Sequence, residues 1–286
     1  MSPAPGPRFL QANGLRFACL EWGRGPLVLA LHGFPDTAES WDPLGPKLAA
    51  AGFHVVAPYL RGYAPTEPPP RDADSRTLGE DVLGLLDALG EPRAFVVGHD
   101  WGAEAAYAAV ALAPERVARL VAIGIPHRAA LTPTPRLAWA LRHFVTLTLP
   151  GAEARFARRD LAGIARLWHR WSPTWSFTEG DLAPVKRCLA APGSLHAALG
   201  YYRAASVRTP AFLRRPVEVP TLNVAGADDP SVPPATFEAT RAHFRAAFQV
   251  AAIPGGHFCH RESPDPFLAA VLPFLTARPP SAREPG

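Results

Sequence analysis

Apolar residues gather into short, almost unbroken runs along this chain: Leu27 to Leu31, His54 to Pro58, Ala94 to Gly98, Leu120 to Ile125, Thr221 to Gly226 and Phe248 to Ile253. Runs of this length that are apolar throughout, rather than at alternate positions, fit strands buried on both faces of a parallel sheet. Parallel neighbours need long crossovers. Segments with helical apolar spacing, such as Leu78 to Leu89 and Ala103 to Leu112, lie between several of the runs. The pattern predicts an α/β fold whose mostly parallel central sheet carries helices on both faces. Ahead of it, Phe9 to Ala12 and Leu15 to Glu21 alternate around Asn13-Gly14, a pair suited to a two-residue hairpin because both turn positions need positive φ.

The strand pattern stops between Arg128 and Arg215, where helical segments rich in Trp, Phe, Arg and Leu take over. Pro126 and Pro133 on one side, and Pro210, Pro216 and Pro220 on the other, suit chain reversals at the ends of an insertion. The expected organisation is a core of residues 1–127 and 216–277, a helical cap of residues 128–215 and a disordered Pro-rich tail of residues 278–286.

At 286 residues and 48% hydrophobic, the chain can bury such a core without disulfides or obligatory assembly, and a monomer or homodimer is expected. Cys19, Cys188 and Cys259 are far apart, which suits reduced thiols in a cytoplasm rather than a zinc or redox site. Met1 to Leu10 lacks the basic start and apolar run of a secretory signal. Charged residues, Pro or Gly interrupt every candidate for the ~18-residue apolar stretch a membrane span needs. The net charge of +4 comes from scattered Arg without a basic run. Neither a nucleic-acid nor a membrane partner is expected. Arg heavily outnumbers Lys, a compositional bias often seen in high-GC bacteria.

Candidate chemistry centres on Ala94-Phe-Val-Val-Gly98-His99-Asp100-Trp101-Gly102, a strand, a sharp turn and a helix. This is the layout of a nucleophile elbow with Asp100 where serine hydrolases carry serine, although Asp100 could equally cap the helix. Elbow enzymes place nucleophile, acid and histidine in that chain order. His257, after the last strand, supplies the histidine, and Asp228 or Asp229, after the strand ending at Gly226, the acid. His32 and His99 read as structural, Cys259 as a small buried thiol, and the cap aromatics Phe156, Trp168, Trp171, Trp175 and Phe177 mostly as packing, with some of them lining an apolar cleft between cap and sheet.

Five motifs together give the chain a clear resemblance: His32-Gly33-Phe34-Pro35, Arg61-Gly62-Tyr63, Gly98-His99-Asp100-Trp101-Gly102, Gly226-Ala227-Asp228-Asp229-Pro230 and Gly256-His257-Phe258. Over nearly its whole length the sequence resembles the α/β-hydrolase-fold epoxide hydrolases, close relatives of haloalkane dehalogenases. The resemblance implies an α/β-hydrolase fold and an epoxide or halogenated small apolar substrate with water, and no cofactor or metal. It implies an ester on Asp100, cleaved by water that His257 activates with Asp229 as its acid, and an oxyanion hole from the backbone N–H groups of Phe34 and Trp101. It also implies two cap groups that hydrogen-bond the opening epoxide oxygen. Tyr202 matches one, and the other falls on His143, where the family usually has tyrosine. Dehalogenases often have Asn after His-Gly, and Phe34 here favours the epoxide. A cis bond before Pro35 is a further expectation from the family. The rival readings are a hydrolytic dehalogenase and a small-molecule binding homologue without turnover.

Overall fold

The computed structural model describes residues 6–131, 134–206 and 208–277. The expected tail 278–286 and the boundary residue Pro133 lie outside them. Eight strands form one sheet: β1 (Arg8–Ala12), β2 (Leu15–Trp22), β3 (Leu27–Leu31), β4 (His54–Pro58), β5 (Ala94–His99), β6 (Val117–Ile123), β7 (Thr221–Gly226) and β8 (Phe248–Ile253). Their order is β1-β2-β4-β3-β5-β6-β7-β8, with β1 and β2 antiparallel and everything from β4 through β8 parallel. The hairpin turns where Asn13 and Gly14 take φ of 42° and 77°. Strand β6 begins and ends earlier than its apolar run, because Gly124 turns away at φ 77° and leaves Ile125 in the loop beyond.

β3, β5 and β7 are apolar because both their faces are covered, and nearly every residue in them is buried. The crossover helix Ser75–Leu89 is capped by Asp74, which accepts the Thr77 N–H at 2.9 Å, and it ends at Gly90 in the left-handed region. It packs on the helix that follows β5, Trp101–Leu112. Between β6 and β7 the chain is helical, with helices at Pro135–Ala140, Arg142–Thr148, Ala152–Leu161, Gly163–Trp171, Glu179–Ala190 and Ser194–Ala204. This layer lies over the carboxyl ends of the strands, where open parallel sheets hold their ligands.

The core contains neutral histidines. Burial pulls His32 down to about 4 and His127 to about 3, and holds His99 and His260 well below the usual imidazole value. Each takes up a proton near pH 6.5 only on unfolding, so its contribution is present above pH 6.5 and is lost as the pH falls. Asp36, lifted by burial to about 6, works in the opposite sense. The lowered histidines outnumber the raised carboxyls, so stability should fall as the pH drops from about 6.5 toward 5. Melting temperatures measured from pH 7 to pH 4.5 check this, and a flat profile would contradict it.

Candidate active site

Strand β5 ends at His99 and its helix starts at Trp101, so Asp100 alone makes the turn, at φ 51° and ψ −117°. A residue with a Cβ holds that conformation only when its surroundings enforce it. The enforcement is close packing: a Cβ on Gly98 would collide with the Gly102 carbonyl, and one on Gly102 with the carbonyls of Leu31 and His32. Asp100 occupies the cap position of the helix, yet its carboxylate makes no capping bond. Oδ1 instead accepts the backbone N–H of Phe34 at 2.8 Å, and Oδ2 faces Nε2 of His257 at 3.5 Å. The carboxylate of Asp100 therefore does not cap the helix and faces a cleft instead.

His257 reaches this point from the loop after β8. Its N–H donates to the Trp171 carbonyl at 2.9 Å, and the N–H of Phe258 donates to Ser172 Oγ at 3.0 Å, so the histidine loop is pinned by the end of a cap helix. Its Nδ1 lies 3.3 Å from Oδ2 of Asp229. The other Asp229 oxygen accepts the N–H groups of Ser231 at 2.7 Å and Val232 at 3.1 Å, which fixes the carboxylate. Asp228 turns elsewhere and accepts the Gly255 N–H at 3.1 Å. Of the two candidate acids, it is Asp229 that faces the imidazole. Burial pulls the His257 proton affinity down, but Asp100 and Asp229 outweigh it and raise the group to about 10.

A cavity of about 580 Å³ lies between this trio and the cap. That is ample for a small organic molecule. Asp100, Trp101, His257, His143 and Tyr202 all border it. The Tyr202 hydroxyl is buried beside the Trp101 indole, a donor only, and its proton meets no acceptor among the described residues. Burial first, and the Asp100 charge second, hold its proton far above the usual phenol value. His143 lies beside it at 5.7 Å between ring centroids, with Nδ1 3.0 Å from the Ala140 carbonyl. A carbonyl can only accept, so this bond places the proton of the neutral ring on Nδ1 and leaves Nε2 as an acceptor. Burial lowers the ring to about 4.

Phe34 follows β3 and is buried, and its bond to Pro35 is cis, as the resemblance implied. Two lining groups were not singled out in the sequence. Trp171, one of five cap aromatics, borders the cavity 5.4 Å from the His257 ring, whereas Trp168, Trp175 and Phe177 pack on one another. Glu104, one turn beyond Asp100, pairs with Arg128 at 3.2 Å on the cavity wall. Only the tertiary packing of distant segments brings these groups together, and no local sequence signal marks them. His32 accepts the Leu60 N–H and donates to Gly33, and Cys259 is buried, with burial pushing its thiol up. Among the described residues, one group has metal-ligating geometry: the buried Asp36, His99 and His260, with ligand atoms within 4.8 Å. Asp36 already binds the Arg261 guanidinium at 2.9 Å, a cation competing for the same carboxylate, and none of the three borders the cavity.

Comparison with known proteins bears on the fold and the family. Residues 26–264 match the family model of the alpha/beta hydrolase fold. Epoxide hydrolase A of Mycobacterium tuberculosis is 31% identical over 316 residues, spanning 96% of this chain and 98% of its own. An AB hydrolase superfamily protein of Bacillus subtilis is 28% identical, over 94% and 97%. Among solved structures, an epoxide hydrolase from Vigna radiata superposes with a TM-score of 0.82 at 26% identity, covering 94% of this chain and 97% of that one. With the fold, the elbow and a relative of this identity over almost its full length, the chain belongs to the α/β-hydrolase fold family as an epoxide hydrolase-like member.

Proposed function

We propose that the protein opens an epoxide to a vicinal diol through an alkyl ester on Asp100. The observation that carries this reading is the Tyr202 hydroxyl, buried, with no acceptor for its proton among the described residues and on the same cavity as Asp100. A carboxylate nucleophile suits displacement at saturated carbon, and an epoxide needs a hydrogen-bond donor on the oxygen that leaves carbon but stays in the product. Oδ2 of Asp100 attacks the ring carbon while Oδ1 keeps its bond to Phe34. In the free enzyme the two carboxylates hold His257 as an imidazolium. Once the ester forms, the Asp100 charge is gone and the ring gives its extra proton to the new alkoxide, which Tyr202 has polarised. His257 then acts as the base for water attack on the ester carbonyl, with Asp229 orienting it. The oxyanion of that step is held at Oδ1 by Phe34 N–H and, by its place after the nucleophile, Trp101 N–H.

In this scheme Tyr202 is the principal donor, since neutral His143 offers Nε2 only as an acceptor. Tyr202→Phe should lower kcat/KM for a styrene-type epoxide by about 100-fold or more, the usual worth of a positioned acid. His143→Gln should cost less than about tenfold. A parallel series of haloalkanes tests the dehalogenase alternative, because a halide that leaves as a free ion has no use for Tyr202. Turnover of haloalkanes, with Tyr202→Phe unimpaired, would replace the epoxide reading.

A further inference from the structure

The first part of the cap presents large apolar side chains to solvent: Trp139 is 68% exposed, Val145 61%, Leu149 49% and Leu141 40%. They belong to two short helices, the residue between them and the residue that follows the second, and Leu141 also borders the active-site cavity. A clustered exposed patch of this kind marks a contact surface. Its surroundings are basic. Of the 29 Lys and Arg and 25 Asp and Glu in the chain, 14 and 4 fall within residues 128–215, against 15 and 21 elsewhere. Arg142 stacks on Trp139 at 4.0 Å. Arg155 bonds the Pro150 carbonyl at 2.7 Å, next to the second helix, and Arg166 bonds the Arg155 carbonyl at 3.4 Å. Among the described residues, no carboxylate neutralises these three.

We infer that this cap face docks on an anionic lipid surface, with Trp139, Val145 and Leu149 entering the headgroup region and Arg142, Arg155 and Arg166 lying against lipid phosphates. Aromatic and aliphatic side chains rimmed by unpaired Arg are the composition of an interfacial segment. A symmetric second copy fits less well, since a two-fold contact over the patch would set these arginines against their own counterparts. Lying on the surface requires no spanning segment, and no helix among the described residues is long and apolar enough to cross a membrane. With Leu141 shared between patch and cavity, an apolar substrate dissolved in lipid would meet the cavity edge directly. The docking stands whether or not the site opens epoxides.

The test is sedimentation of the full chain with vesicles of phosphatidylcholine containing phosphatidylglycerol, and with phosphatidylcholine alone. The expected result is binding to the anionic vesicles that weakens as salt rises, with little binding to the neutral ones. Val145→Glu and Arg155→Glu, both at exposed positions outside the cavity, should each lower the partition coefficient about fivefold or more. Unchanged binding in Val145→Glu, or a parent that ignores vesicles and sediments as a dimer which Val145→Glu dissociates, would overturn the inference.

Discussion

Asp100→Asn should fold like the parent and lose at least about 10⁴-fold in epoxide turnover, the scale of losing a covalent nucleophile. The amide keeps a carbonyl oxygen for the Phe34 N–H, now bonded at 2.8 Å, so the close packing behind the elbow is undisturbed. What it lacks is the charged oxygen facing His257 at 3.5 Å. Activity that returns slowly on storage would mark deamidation back to aspartate, so Asp100→Ala serves as the permanent control. The parent supplies the complementary result. In a single turnover in oxygen-18 water, the ester carbonyl receives the water oxygen and the diol leaves with an oxygen that began on Asp100. The peptide containing Asp100 should therefore carry the label and the first diol should not. A labelled first diol with an unlabelled peptide, or full activity in Asp100→Ala, would remove the covalent step.

The buried sheet was legible in the sequence because parallel strands covered on both faces leave a continuous apolar imprint, as in β3, β4 and β7, whose ends coincide with their apolar runs. β6 was read too late because Ile125 is apolar for a different reason: it lines the cavity beyond a left-handed Gly124. Asp100, His257 and the acid loop were legible through chain order. What order alone left open was whether Asp228 or Asp229 faces the histidine, since the two differ only in which way a turn directs them. The turn is fixed by bonds from Ser231 and Val232 to Asp229 and from Gly255 to Asp228, none with a signature of its own. The same holds in the cap. Trp171 and Trp168 sit one helical turn apart, yet one meets the cavity and the other donates to the Pro35 carbonyl. Likewise, the residue type at His143 suggested a donor, and the Ala140 carbonyl decides which ring nitrogen keeps the proton.

His257→Gln should separate the two halves of the reaction. Asp100 still has its free oxygen, so one equivalent of epoxide should be consumed per enzyme, more slowly than in the parent because no imidazolium is present to discharge the alkoxide. Ester hydrolysis then lacks its base, and steady-state turnover should fall by about 10⁴-fold or more. Mass spectrometry of the acid-quenched protein should find the Asp100 peptide heavier by one substrate. A second readout needs no substrate. His257 is raised to about 10 in the folded chain against 6.5 for a free imidazole, so the stability drawn from its two carboxylates is complete below pH 6.5 and is lost as the pH rises toward 10. The parent should therefore lose melting temperature across that alkaline interval more steeply than His257→Gln, in which no group of that kind remains. If the variant turns over normally, or consumes no epoxide and forms no adduct while the parent is active, the imidazole does not have the role given to it. If the two alkaline profiles are parallel, the imidazolium is not what Asp100 and Asp229 hold in the free enzyme.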